Sequence, residues 1–141
     1  MQDKTCNIAA QYFRAVYATA HVRPYDNKSA LTNAIEVELS REALPQPGHH
    51  RVELGVTVTG TNAEGIICFE AGAAVEGIVV ETNLTDEELT QMLERNIPGL
   101  LLGNLRVAIS NATSQTGYGP VTLPPITGEQ LQALAQQSRG D

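Results

Sequence analysis

The residues best suited to chemistry are few and scattered. His49 and His50 form the one eye-catching pair. Adjacent residues of a strand point to opposite faces, so the two rings converge poorly on one metal ion. They follow Pro47-Gly48, which places them in a loop or at the start of a strand. Glu36 and Glu38 stand two positions apart, roughly 7 Å along one face of an extended chain. That spacing suits paired-carboxylate chemistry. Alternating Glu on a half-buried strand is ordinarily its solvated face, however. Asp86-Glu87-Glu88 follows Thr85 and is explained by helix capping. Cys68 lies in an apolar run without a nearby His or Lys, as a buried structural thiol does. Cys6 and Cys68 do not form a C-x-x-C pair, and with three scattered His they make no zinc set. A disulfide between them is disfavoured where no export signal is read. Walker A, G-x-G-x-x-G, H-E-x-x-H and G-x-S-x-G sequences are absent. These residues call for no nucleotide, metal or other cofactor, and they carry no catalytic constellation.

The elements that would position these residues read as strands first and helices after, which predicts an α+β fold with an antiparallel sheet. Phe13–Val22 mixes Val, Tyr and Thr without a helical stripe and stops at Pro24, a strand pattern. Ile35, Val37 and Leu39 alternate with Glu36 and Glu38. Val52, Leu54, Val56 and Val58 alternate with Glu53, Gly55, Thr57 and Thr59. Residues 60–65 read as a hairpin loop returning into Ile66–Glu70, and Val75–Val80 continues that strand past a bulge or bend at Gly72. Thr85 and Glu88 form a capping box for a helix through Leu89, Met92 and Leu93, which Pro98 is expected to break. A second helix opens at Pro98 with a stripe of Leu101, Leu105, Ala108, Ile109 and Ala112. Residues 121–126 read as an extended, partly apolar loop, and Thr127 with Gln130 caps a last helix.

Size and composition bound the function. A chain of 141 residues suits one domain, with a core near 12–137 and short flexible ends, and needs no covalent staple. Apolar residues make up 42% of it but aromatics only 4%, so the core is aliphatic. Sixteen Asp and Glu against nine Lys and Arg give a net charge of −7. That charge repels phosphate backbones and anionic membrane surfaces and complements basic protein segments. The sequence contains neither an apolar span long enough for a bilayer nor a leader-like start. A cytoplasmic protein with no membrane insertion is expected.

Taken in order, these segments resemble the SecB protein-export chaperone family. Residues 52–59 (VELGVTVT) are similar to its V-x-L-x-V-T-V-T strand, followed by an acidic hairpin loop and a strand with Cys68 and Glu70. Arg14, Val16 and Tyr17 resemble its opening strand. Residues 96–100 (NIPGL) resemble the first turn of its long helix, and residues 116–126 resemble its G-T-F-P-x-L-x-L-x-P-V segment. The likeness covers about residues 12–137.

The resemblance implies a four-stranded antiparallel sheet with C-terminal helices on one face, assembled as a dimer of dimers. It implies a holdase that keeps unfolded or extended polypeptides, preproteins for export among them, without ATP. The client groove would have Ile67, Phe69, Val75 and Ile78 on the strand side and Tyr118, Val121, Leu123 and Ile126 on the loop side. An extended Pro-rich loop over a sheet is a physically reasonable wall for such a cleft. Any one of these residues could instead fill the core or an oligomer interface. Glu70 would be the docking residue for the SecA motor. In the family, acidic residues of the first strand help that docking, and residues 18–24 here contain none, holding His21 and Arg23 instead. Two alternatives stay open: a module of the same fold serving one dedicated partner, such as an antitoxin or a secretion component, and, more remotely, an enzyme using Glu36, Glu38 or the His residues.

Overall fold

The computed structural model describes residues 3–139; the outermost residues of the expected flexible ends lie outside the described residues. Four long strands, β1 (Thr5–Ala20), β2 (Leu31–Ala43), β3 (His49–Asn62) and β4 (Ile67–Thr82), form one antiparallel sheet in the order β1-β4-β3-β2. Because β1 and β2 are the two edges, residues 21–30 must cross the sheet end, about 14 Å at three strand spacings.

Strict alternation fixes the faces. Val52, Leu54, Val56 and Val58 are buried, and the register sets them beside Val75, Ala73 and Ala71 of β4 and Val37 and Leu39 of β2. Against this face packs α2 (Ile97–Ser114) through Leu101, Leu105, Ile109 and Ala112, the stripe expected of it. The last helix, α3 (Gly128–Arg139), buries Leu131 and Ala135 against the β2 side. The core is aliphatic, and Phe69 is its large aromatic member.

Three features differ from expectation. β1 begins at Thr5, eight residues before Phe13, because pairing with β4 as far as Thr82 supplies order that its mixed sequence does not signal. Gly72 lies in unbroken pairing, and the irregularities fall at Ile8/Ala10, Phe13/Ala15 and Gly60/Thr61 instead. Gly72 serves a close approach: a Cβ there would lie 2.6 Å from Tyr17 Cε1. Pro98 does not break the helix. The first short helix, α1 (Asp86–Gln91), runs into α2 through a π turn at Met92–Asn96, in which the Ile97 amide donates to the Met92 carbonyl. This wider turn carries the chain into a proline that cannot donate.

Both capping boxes form. Thr85 Oγ1 accepts from the Glu88 amide at 3.1 Å, and Glu88 Oε1 accepts from the Thr85 amide at 3.0 Å. Gln130 and Thr127 exchange the same pair at 3.1 and 2.9 Å. The Thr85 amide and then Lys4, 2.9 Å away, hold the Glu88 carboxyl below its usual value.

Candidate functional site

The residues expected to line one groove are split between the two faces of the sheet. Phe69 and Val75 point to the helix side and are buried at 1% and 0% exposure. Ile78 pairs with Arg51 and so faces the open side, three positions on from Val75 where alternation requires the opposite face. Ile67 pairs with Thr61 across an irregularity that leaves Cys68 as the extra residue. That shift turns Ile67 to the open side as well, 48% exposed. Phe69, Val75 and Leu123 are therefore core residues in this structure, while Ile67 and Ile78 belong to a different surface.

On the loop side the segment is packed down. After α2, Gly117 takes a positive φ of 86°, and Tyr118 stacks on Phe69 with ring centroids 5.5 Å apart. The Tyr118 hydroxyl donates to the Val22 carbonyl at 2.7 Å and so ties the crossing segment to the loop. Burial, with the Cys68 thiol beside it, raises the Tyr118 hydroxyl and keeps it a donor at neutral pH. The His21 and Val22 amides both donate to the Cys68 carbonyl. The Val121 amide donates to Thr113 Oγ1 at 2.8 Å, and Thr113 Oγ1 donates to the Ile109 carbonyl. Leu123 is 1% exposed, whereas Val121, Tyr118 and Ile126 are half-buried at its flanks. Arg106, which sequence reasoning missed, donates through Nη1 to the Leu123 carbonyl and through Nη2 to the Pro124 carbonyl, the latter at 2.8 Å.

The open face is acidic. The register puts Glu36, Glu38, Glu53, Glu70 and Glu76 on it, around a floor of Gly55, Gly72 and Ala74. A shallow depression of about 260 Å³ lies at Glu38, Glu53, Gly55 and Ala74. Glu76 is the exception among these carboxylates, 2% exposed and structurally engaged. It accepts from the Tyr12 hydroxyl and from Arg51 at 3.2 Å, with Arg14 at 3.6 Å. Burial pushes its carboxyl up, but these hydrogen bonds and the two guanidinium charges outweigh that and hold it below the usual range. Glu70 is half-buried and lies 3.5 Å from His21 Nε2.

A third surface joins β1 to α2. Phe13 and Val16 of β1 and Leu100 and Val107 of α2 are exposed, while the equally exposed Tyr12 and Tyr17 turn to the open face at Glu76 and Gly72. A cavity of about 450 Å³ lies between the two elements, lined by Phe13, Val16, Asn104, Val107 and Asn111 among others. Charge is scarce here: Arg14 and Arg106 are the only charged residues of β1 and α2.

The histidines stand apart. His49 Nδ1 lies 3.0 Å from the Pro47 carbonyl, and His50 Nε2 is buried 3.6 Å from Glu81. No group of three or more His, Cys, Asp or Glu suited to a metal ion occurs among the described residues. Cys6 and Cys68 are free thiols. No helix among the described residues is long and apolar enough to cross a membrane.

Comparison with known proteins gives a consistent result. Residues 1–139 match the family described as preprotein translocase subunit SecB. The protein-export protein SecB of Azoarcus sp. is 32% identical over 113 residues, 78% of this chain and 75% of that protein. Its counterparts in Magnetococcus marinus and Novosphingobium aromaticivorans are 31% and 32% identical, over 64% and 73% of this chain. Those two matches span 58% and 60% of the relatives' own length. A solved SecB-like chaperone of Mycobacterium tuberculosis, in complex with a peptide from an antitoxin, shares the fold. Its TM-score is 0.71 at 19% identity, covering 86% of this chain and 91% of that one.

Proposed function

The chain belongs to the SecB family, and from that premise we propose that it is an ATP-independent holdase for unfolded or extended polypeptides, preproteins for export among them. The observation that carries this reading is the extended apolar segment 121–126, laid over the helix side of the sheet without strand pairing of its own. Such a segment marks where another extended chain can lie. Tyr118, Val121 and Ile126 are the half-buried contacts at its margin, with Phe69 and Leu123 beneath. The role is binding, not catalysis, in the cytoplasm. Assembly into a dimer of dimers uses the charge-poor surface of β1 and α2, where two copies of a chain of net charge −7 repel least. Suppression of aggregation tests the reading directly. The purified protein, without nucleotide, is expected to keep several chemically denatured clients soluble on dilution at near-stoichiometric ratios. Absence of suppression across all of them refutes it.

One observation favours a second reading, a module for a single dedicated partner such as an antitoxin or a secretion component. Residues 18–24 carry no carboxylate, and Glu70, the remaining candidate for docking to SecA, already lies beside His21. Recovery of one stoichiometric partner by pull-down, together with no general holdase activity, selects this reading.

A further inference from the structure

We infer that residues 121–126 are a built-in occupant of the client site and that Arg106 is the latch that keeps them there. The inference rests on the holdase reading above and adds its regulation. Arg106 is the only charged residue in the eighteen positions of α2. Its guanidinium bonds two successive carbonyls, those of Leu123 and Pro124, and no carboxylate pairs with it among the ion pairs of the described residues.

The chemistry of the segment explains the need for such a group. Pro124 and Pro125 have no N–H, so this stretch offers carbonyls without the donors that strand pairing requires. A planar fork with several N–H groups satisfies neighbouring carbonyls that an ammonium would bridge poorly. The side chains alternate from Val121 to Pro124, and the Pro-Pro step then shifts the pattern by one position. Val121, Leu123 and Ile126 turn inward, while Thr122, Pro124 and Pro125 are exposed. The Thr113 hydroxyl holds the Val121 amide at the other end. Leu123 fills the place beside the core that an incoming apolar side chain would need.

A client gains the site only in the fraction of molecules whose segment has lifted, and the measured dissociation constant is the intrinsic one divided by that fraction. Arg106 sets the fraction. Replacing it weakens closure without removing any inward-facing side chain.

Arg106→Gln and Arg106→Lys test this, with hydrogen exchange along the chain and anisotropy of fluorescently labelled, reduced and carboxymethylated α-lactalbumin as the client. In Arg106→Gln, loss of the charged fork is expected to speed exchange about tenfold at the Val121 amide, the N–H by which the segment is bonded to Thr113. Client binding tightens by up to the same factor. Arg106→Lys falls between the two proteins in both readouts. Unchanged exchange overturns the latch. Faster exchange with unchanged or weaker client binding overturns the claim that the segment competes with clients, and leaves the holdase reading standing. Failure of all three proteins to bind overturns self-occupancy, and joined with no suppression of aggregation across the several clients above it overturns the holdase reading too.

Discussion

Leu123→Ala distinguishes a core residue from a client contact. Leu123 is 1% exposed and belongs to the main apolar cluster. Truncating a buried leucine to alanine costs about 2–5 kcal/mol, less where the surroundings can close over the void. Residues 121–126 have no strand or helix pairing to hold them rigid, so the lower half of that range, about 2–3 kcal/mol, applies. With a urea slope of about 2 kcal/mol/M, the unfolding midpoint falls by roughly 1–1.5 M. The control is Ile67→Ser, which alters a side chain 48% exposed and costs less, about 1 kcal/mol. Urea titrations at one fixed protomer concentration read both, since self-association makes midpoints concentration-dependent. Leu123→Ala is also expected to bind unfolded client no less tightly than the unaltered chain, because it loosens the segment that competes. A Leu123→Ala midpoint equal to that of the unaltered chain refutes the packing argument. If client affinity falls with no loss of stability, Leu123 is a client contact and the segment is no occupant.

Glu76→Gln removes a charge that Arg51, Arg14 and Tyr12 surround, and at neutral pH it costs about 1.5–3 kcal/mol, the range for hydrogen bonds to charged groups. The pH dependence has a defined sign. Because the fold holds the Glu76 carboxyl below its unfolded value, its contribution is present above about pH 4.3 and is lost as pH falls through the lowered folded value. Urea midpoints of Glu76→Gln and the unaltered chain should therefore differ at pH 7 and converge as pH falls through that lowered value; a constant gap counts against the ion cluster. Gly60→Ala would set a Cβ 2.2 Å from Phe69 Cε1, and forcing the ring aside costs about 1–3 kcal/mol. The stacking of Phe69 on Tyr118 should be disturbed with it, so near-ultraviolet circular dichroism should change along with the thermal midpoint.

The sheet was legible where one face is buried and the other wet. In β2 and β3 the alternation of Val, Leu and Ile with Glu and Thr states both the strand and its sides. The first eight residues of β1 gave no such signal, because an edge strand of small and polar residues takes its order from β4. Pro98 misled for a local reason: proline ends most helices, but a π turn five residues long lets this one continue. The site was harder to read. Parity alone separates Ile78 from Phe69 and Val75, so that division was available in the sequence. The position of Ile67 was not, because the irregularity at Cys68 depends on pairing with β3. Arg106 had a faint signal only, a lone charge on an otherwise neutral helix ahead of a Pro-Pro stretch that lacks donors.

The two edges of the sheet are treated differently, and this bears on how copies of the chain can meet. The β2 edge carries Glu36, Glu38, Arg41 and Glu42 within thirteen residues, the kind of charge that discourages pairing with another strand. The β1 edge runs for sixteen residues with Arg14 as its single charge, and that charge is turned toward Glu76. Its exposed Phe13 and Val16 continue into the neutral face of α2 at Val107. An unprotected edge of this length is an aggregation hazard unless something covers it. Net charge does not oppose a second copy there, since Glu and Asp are absent from both elements. Pairing at β1 would leave the carboxylates of Glu36, Glu38 and Glu53 turned outward on the open face, where they attract basic segments and repel further copies.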